Sequence, residues 1–129
     1  MHVGQGDASV TDARRLVGAE RLVGLSVTTA AELAVADVDA DYLGVGAVFG
    51  TPTKPDATGA GLDLVQAACD MVRVPWFAIG GIELDTVQAV ARAGAPGVAV
   101  VRAIRDAADP EAAARQLRAE LKTVTRPAG

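Results

Sequence analysis

A chain of 129 residues is long enough for one domain with a buried core. Half of it is apolar, yet only Tyr42, Phe49, Trp76 and Phe77 are aromatic; Val, Ala and Leu supply the rest, as in buried parallel strands under small-residue helices. A formal net charge of -4 excludes a nucleic-acid or anionic-membrane surface, which needs clustered Lys and Arg, but leaves room for a small anion held by a few converging positive groups.

The single cysteine, Cys69, excludes an internal disulfide framework and suits a reducing cytosol. Residues 1–5 lack the basic start and apolar run of a signal peptide, and no apolar stretch is long enough to span a bilayer. The expectation is a cytoplasmic protein.

The chain opens with a short apolar segment, His2-Val3-Gly4-Gln5. Residues 22–27 form the first clear apolar run, and Thr29-Ala30-Ala31-Glu32 then has the spacing of a capping box, which opens a helix. A second run covers residues 42–49. Leu62, Val65, Cys69 and Val72 recur at helical spacing, which places Cys69 in the core. After a third run at 75–82, Leu84, Val87, Val90 and Ala91 repeat the helical pattern, with Gly94 where a helix C′ glycine belongs. The fourth run is 97–104. Asp109-Pro110 caps a last helix with an apolar stripe at Leu117 and Leu121, and residues 123–129 read as a frayed tail.

Each of the four runs is near-continuous, which predicts parallel strands buried on both faces. Strand and helix alternate five times, so the sheet is parallel with right-handed crossovers. Such a sheet closes into a barrel or stays open and doubly wound, and composition does not choose between them.

Glycines gather at the ends of the runs, where they let an anion approach backbone N–H groups. Gly44-Val45-Gly46-Ala47-Val48-Phe49 lacks the third glycine of a dinucleotide fingerprint, and Gly50-Thr51-Pro52-Thr53-Lys54 is not a Walker loop. Two hydroxyls, an ammonium and a proline-stiffened backbone at Thr51-Pro52-Thr53-Lys54-Pro55-Asp56 make either an anion-binding loop or a polar surface turn. Ile79-Gly80-Gly81-Ile82 makes either an anion cradle at the next helix start or a tight turn needing positive φ.

Taken in order, His2-Val3-Gly4-Gln5-Gly6-Asp7, Val23-Gly24-Leu25-Ser26, the stretch from Asp41 to Lys54, Ala78-Ile79-Gly80-Gly81-Ile82 and Gly97-Val98-Ala99-Val100-Val101 resemble the thiamine-phosphate synthase and thiazole tautomerase family over nearly the whole chain. The Thr-x-Thr-Lys stretch is the specific part; the glycine pair and final strand recur in many phosphate-binding barrels. The resemblance implies an α/β fold, an incomplete TIM (β/α)8 barrel of about five parallel βα units that correspond to strands 4–8. It implies a single truncated domain over residues 1–129, with three further units absent, since a complete barrel typically takes about 250 residues.

The resemblance also implies a reaction, in which hydroxymethylpyrimidine pyrophosphate and thiazole phosphate give thiamine phosphate and pyrophosphate with Mg²⁺. Lys54 would hold the pyrophosphate and Ser26 would serve the pyrimidine site. Thr51, Pro52, Thr53, Gly80, Gly81, Val101 and Arg102 would bind the thiazole phosphate, and Asp7 would be one Mg²⁺ carboxylate. Read by itself, Asp7 is instead an Asx turn or helix cap before Thr11. His2, the one histidine, is a strand residue in the family pattern, and Trp76 and Phe77 read as packing.

The chain departs from the family pattern at Arg102, where serine is usual, at Gly50, where proline is common, and at Gly6. Arginine at 102 would grip phosphate bidentately or fill its space. Two open sheet edges would expose unpaired backbone, so a homo-oligomer or a complementing N-terminal segment is the expected partner, with phosphorylated small molecules as substrates. The expectation is therefore a synthase inactive by itself. The alternatives are a non-catalytic phosphate-binding fragment, or a thiazole tautomerase. The tautomerase has less support, because Ser26-Val27-Thr28-Thr29 lacks the histidine that follows the corresponding serine there.

Overall fold

The computed structural model describes residues 1–36, 39–50 and 60–124. In chain order the elements are β1 (His2–Val3), α1 (Val10–Val17), β2 (Gly24–Val27), α2 (Ala30–Ala34), β3 (Tyr42–Val45), α3 (Ala60–Met71), β4 (Trp76–Ile79), α4 (Val87–Arg92), β5 (Val98–Ala99), α5 (Arg102–Arg105) and α6 (Pro110–Thr123). The five strands form one sheet in the order β1-β2-β3-β4-β5, and every pairing is parallel.

Sequential order answers the question that composition leaves open. Crossovers of one hand between successive neighbours put every helix on the same face, whereas a doubly wound sheet needs a reversal of strand order. Burial agrees. Val3, Leu25, Val27, Leu43, Val45, Trp76 and Ala78 point into the helix layer and are buried. His2, Ser26, Tyr42, Phe77 and Ile79 alternate with them and are partly or largely exposed on the other face. The strands are thus covered on one face only, a correction to the two-sided burial expected from near-continuous apolar runs. A barrel interior is that kind of face: it carries small, polar and apolar residues alike.

The largest side chains that are fully buried are all valines: Val23, Val27, Val45, Val48, Val65, Val87 and Val90. Their branched, stiff side chains suit strands and fill the space between sheet and helices with little entropy lost. Each contributes on the order of 1.5–3 kcal/mol by burial.

Capping fixes the helix starts. Ser9 accepts the Asp12 N–H to open α1, Thr29 accepts the Glu32 N–H to open α2, and Asp109 accepts the Ala112 N–H ahead of Pro110 in α6. The return arm at α2 differs from a simple capping box. The Glu32 carboxylate takes the Thr28 hydroxyl at 2.7 Å and the Thr28 N–H at 3.2 Å. Hydrogen bonds from Thr28 and Thr29 hold the Glu32 carboxyl below its ordinary pKa. Gly94, at φ 114°, follows α4 as the C′ residue.

Four local expectations need correction. Cys69 is exposed, because the buried stripe of α3 is Leu64, Val65 and Ala68. Leu84 is 44% exposed in the turn ahead of α4, where the Thr86 hydroxyl accepts the Glu83 N–H and donates to the Glu83 carbonyl. The last run stops being a strand at Ala99, and Arg102–Arg105 is a helical turn. Phe77 is on the open face, edge-on to the Tyr42 ring. The tail at 125–129 lies outside the described residues.

Candidate functional site

Parallel strands put all their carboxyl ends on one edge of the sheet, and the expected site residues follow those ends. One group forms there, and a second lies on the open sheet face, where His2 and Tyr42 begin β1 and β3. The first joins the ends of β4 and β5: residues 79–83 and 99–102 line a hollow of about 210 Å³. Gly80, Gly81, Val101 and Arg102 are therefore together. The hollow is smaller than the 300–1,000 Å³ of a typical small-molecule pocket and matches a phosphate-sized group better. Among the described residues its wall carries one cation, Arg102, and one acid, Glu83.

The chain leaving β3 runs against this hollow. Val48 N–H donates to the Ile79 carbonyl at 2.9 Å, and Phe49 N–H donates to the Gly80 carbonyl at 3.0 Å. Gly81 has φ 63°, and a Cβ there would come 3.1 Å from the carbonyl oxygens of Gly50 and Phe49. Glycine is required on both counts, conformation and space. Gly50 thus brings the chain to Gly81 at the point where the Thr51-Pro52-Thr53-Lys54 loop begins. Thr51, Pro52, Thr53 and Lys54 themselves lie outside the described residues.

The second group sits at β1 and β2. Ser26, half-buried, shares a hydrogen bond of 2.7 Å between its Oγ and His2 Nε2, and its carbonyl accepts the Gln5 side-chain amide at 3.0 Å. His2 Nδ1 lies 3.0 Å from the Tyr42 hydroxyl. Neither histidine contact is visible in the linear pattern, which left His2 as an ordinary strand residue.

Asp7 follows β1 and closes its own turn. Its Oδ2 accepts the Gly4 N–H at 2.7 Å, and its N–H donates to the Gly4 carbonyl at 3.1 Å. This turn closes backwards onto Gly4 rather than onto a following amide as an Asx turn does, and the cap of α1 is Ser9. Among the described residues no group of three or more His, Cys, Asp or Glu side chains is placed to hold a metal. One carboxylate still fits Mg²⁺ in kind, because that ion commonly takes one or two carboxylates together with substrate phosphate oxygens.

Comparison with known proteins decides the family. A family-wide sequence pattern described as thiamine monophosphate synthase matches residues 1–104. The chain belongs to the thiamine monophosphate synthase family. It is 51% identical over 118 residues to a thiamine-phosphate synthase of Thermosynechococcus vestitus, an alignment covering 91% of this chain and 34% of that protein. It is 40% identical to the thiamine-phosphate synthase of an Arthrobacter species, covering 94% of this chain and 62% of that one. The thiamine phosphate pyrophosphorylase of Pyrococcus furiosus superposes with a TM-score of 0.83 at 31% identity, over 97% of this chain and 60% of that structure. The chain therefore spans about one third to three fifths of the length of these relatives. The TIM-type arrangement expected from the sequence is the arrangement found, as an open five-stranded portion of it. Among the described residues, no helix is long and apolar enough to cross a membrane.

Proposed function

We propose that this chain carries the thiazole-phosphate cradle and part of the pyrimidine site of a cytoplasmic thiamine-phosphate synthase. The supporting observation is the approach of Gly50 to Gly81, which starts the Thr51 to Lys54 loop at the edge of the hollow containing Gly80, Val101 and Arg102. Thr51 and Thr53 hydroxyls, the backbone at Pro52 and the Gly81 N–H then surround one phosphate, and Arg102 adds a bidentate cation.

In the reaction, the bond from the pyrimidine methylene carbon to pyrophosphate oxygen breaks and the thiazole nitrogen forms a new bond to that carbon. Charge builds on the departing pyrophosphate, so the ammonium of Lys54 acts where the transition state differs most from the substrate. Ser26 donates to the pyrimidine ring. Asp7 is the residue that would hold Mg²⁺, and the ion would supply charge neutralisation for the leaving group. Further donors come from a segment or second copy pairing at the open β1 edge.

The test is formation of thiamine phosphate from the two phosphorylated substrates and Mg²⁺, by this chain alone and with a supplied N-terminal segment. Product in the second mixture, lost in Lys54→Ala, is expected. No product in either mixture sinks the reading.

A further inference from the structure

Outside the phosphate cradle, the polar side chains best connected to each other on the open sheet face are Tyr42, His2 and Ser26, and they form a chain rather than a cluster. His2 is on β1 opposite Gly24 of β2, which is in turn opposite Tyr42 of β3. Because Gly24 has no side chain, the Tyr42 ring lies across it and reaches the imidazole; the two ring centroids are 5.5 Å apart. Phe77 of β4 backs the tyrosine from the other side, edge-on at 6.4 Å. On the imidazole's remaining flank lies Gly44, where a Cβ would stand 3.7 Å from His2 Cε1, an ordinary contact.

A neutral imidazole has one N–H and one lone pair, so its two hydroxyl partners cannot be arranged independently. Either the Tyr42 hydroxyl donates to Nδ1 and Nε2–H donates to Ser26 Oγ, or both bonds run the other way. Phenol, with a pKa near 10, is a far stronger acid than an aliphatic alcohol and is the better donor to a ring nitrogen. The bond at one nitrogen sets the proton on the other. Tyr42 therefore selects the Nε2–H form, and Ser26 Oγ, already accepting from His2, keeps its own hydrogen for something else. The Gln5 amide on the Ser26 carbonyl fixes the backbone that carries it.

We infer that Tyr42 and His2 are positioning residues that turn the Ser26 hydroxyl outward as a hydrogen-bond donor to a ring nitrogen of a bound pyrimidine. The assignment of the ligand rests on the synthase reading above; the direction of the relay does not.

His2 is the only histidine, so in the full chain labelled with ¹⁵N-histidine its two ring nitrogens are unambiguous. Long-range proton–nitrogen spectra should show Nε2 protonated and Nδ1 bare. Tyr42→Phe should give a mixture of both forms. Titration with hydroxymethylpyrimidine should weaken about tenfold in His2→Ala, the loss of one neutral hydrogen bond, and less than about threefold in His2→Gln, whose amide still donates to Ser26. A protonated Nδ1 in the wild-type chain overturns the relay. So does pyrimidine binding that falls in Ser26→Ala but is untouched in His2→Ala, or that falls equally in His2→Ala and His2→Gln. If the wild-type chain and Ser26→Ala both ignore the pyrimidine even beside the supplied N-terminal segment, the synthase reading fails separately, and the ring-nitrogen spectra alone decide the relay.

Discussion

The Tyr42 ring occupies the volume that a side chain at Gly24 would need: a Cβ built there would overlap the distal ring atoms and hydroxyl of the tyrosine. Gly24→Ala must therefore push the tyrosine away from His2 or shift two paired strands. Overpacking of this kind costs about 1–3 kcal/mol. Urea unfolding of Gly24→Ala, Tyr42→Ala and the double variant checks it. The double variant should recover part of the alanine penalty, because the two groups compete for one space.

Leu117 is the one buried residue of α6, and it ties that helix to the core through the α4 and α5 surfaces. Its truncation to alanine should cost about 2–5 kcal/mol, the usual range for a buried leucine. Leu84 falls in the apparent apolar pattern of Val87, Val90 and Ala91 but is 44% exposed, so Leu84→Ala should stay within about 0.5 kcal/mol. Denaturant midpoints of the two variants separate a residue that packs from one that only falls in register with residues that do.

That pair shows where reading a linear pattern stops. Caps are local, and Thr29, Asp109 and Gly94 act as their immediate neighbours imply. The five strands sit inside the apolar runs, but the runs overshoot, because valine and alanine serve turns and the helical segment at Arg102–Arg105 as readily as strands. Which face of the sheet is covered depends on strand order, and strand order is a long-range property. The His2 contacts are of that kind too: residues 24 and 40 positions away meet His2 only through the parallel register of three strands. The hollow at the ends of β4 and β5 is more legible, since Gly80, Gly81, Val101 and Arg102 each follow a strand end. Its acid, Glu83, and the clasp of Gly50 on Gly81 are not.

Arg14 of α1 reaches the amino ends of β2 and β3. Its guanidinium pairs with the Asp41 carboxylate at 2.6 Å and donates to the carbonyls of Arg21 and Asp39, while Asp41 also accepts the Val23 N–H at 2.7 Å. The Arg14 hydrogen bond first, then the Val23 amide, hold the Asp41 carboxyl below its ordinary pKa. A depressed folded value means that the fold binds this proton less readily than the unfolded chain. The contribution is then present above the unfolded carboxylate value and is lost as the pH falls through the folded one. Asp41→Asn should lower the urea midpoint at pH 7, and the gap to the wild-type chain should close progressively below about pH 4. A gap unchanged between pH 7 and pH 3 would show that the charge is not what matters there.

Gly81 and Gly18 both have positive φ, 63° and 86°, but only Gly81 lines the hollow between the ends of β4 and β5. A Cβ at Gly18 meets nothing within 4 Å, while one at Gly81 presses on Gly50 and Phe49. Alanine at either position should cost about 1–3 kcal/mol through backbone conformation alone. At Gly81 the added methyl must also move the start of the Thr51 to Lys54 loop. Inorganic phosphate followed by amide chemical shifts should then bind several-fold more weakly to Gly81→Ala, and with wild-type affinity to Gly18→Ala. Equal phosphate affinity in both variants would detach the anion site from the Gly50 to Gly81 clasp, and with it the reason for placing the loop over that hollow.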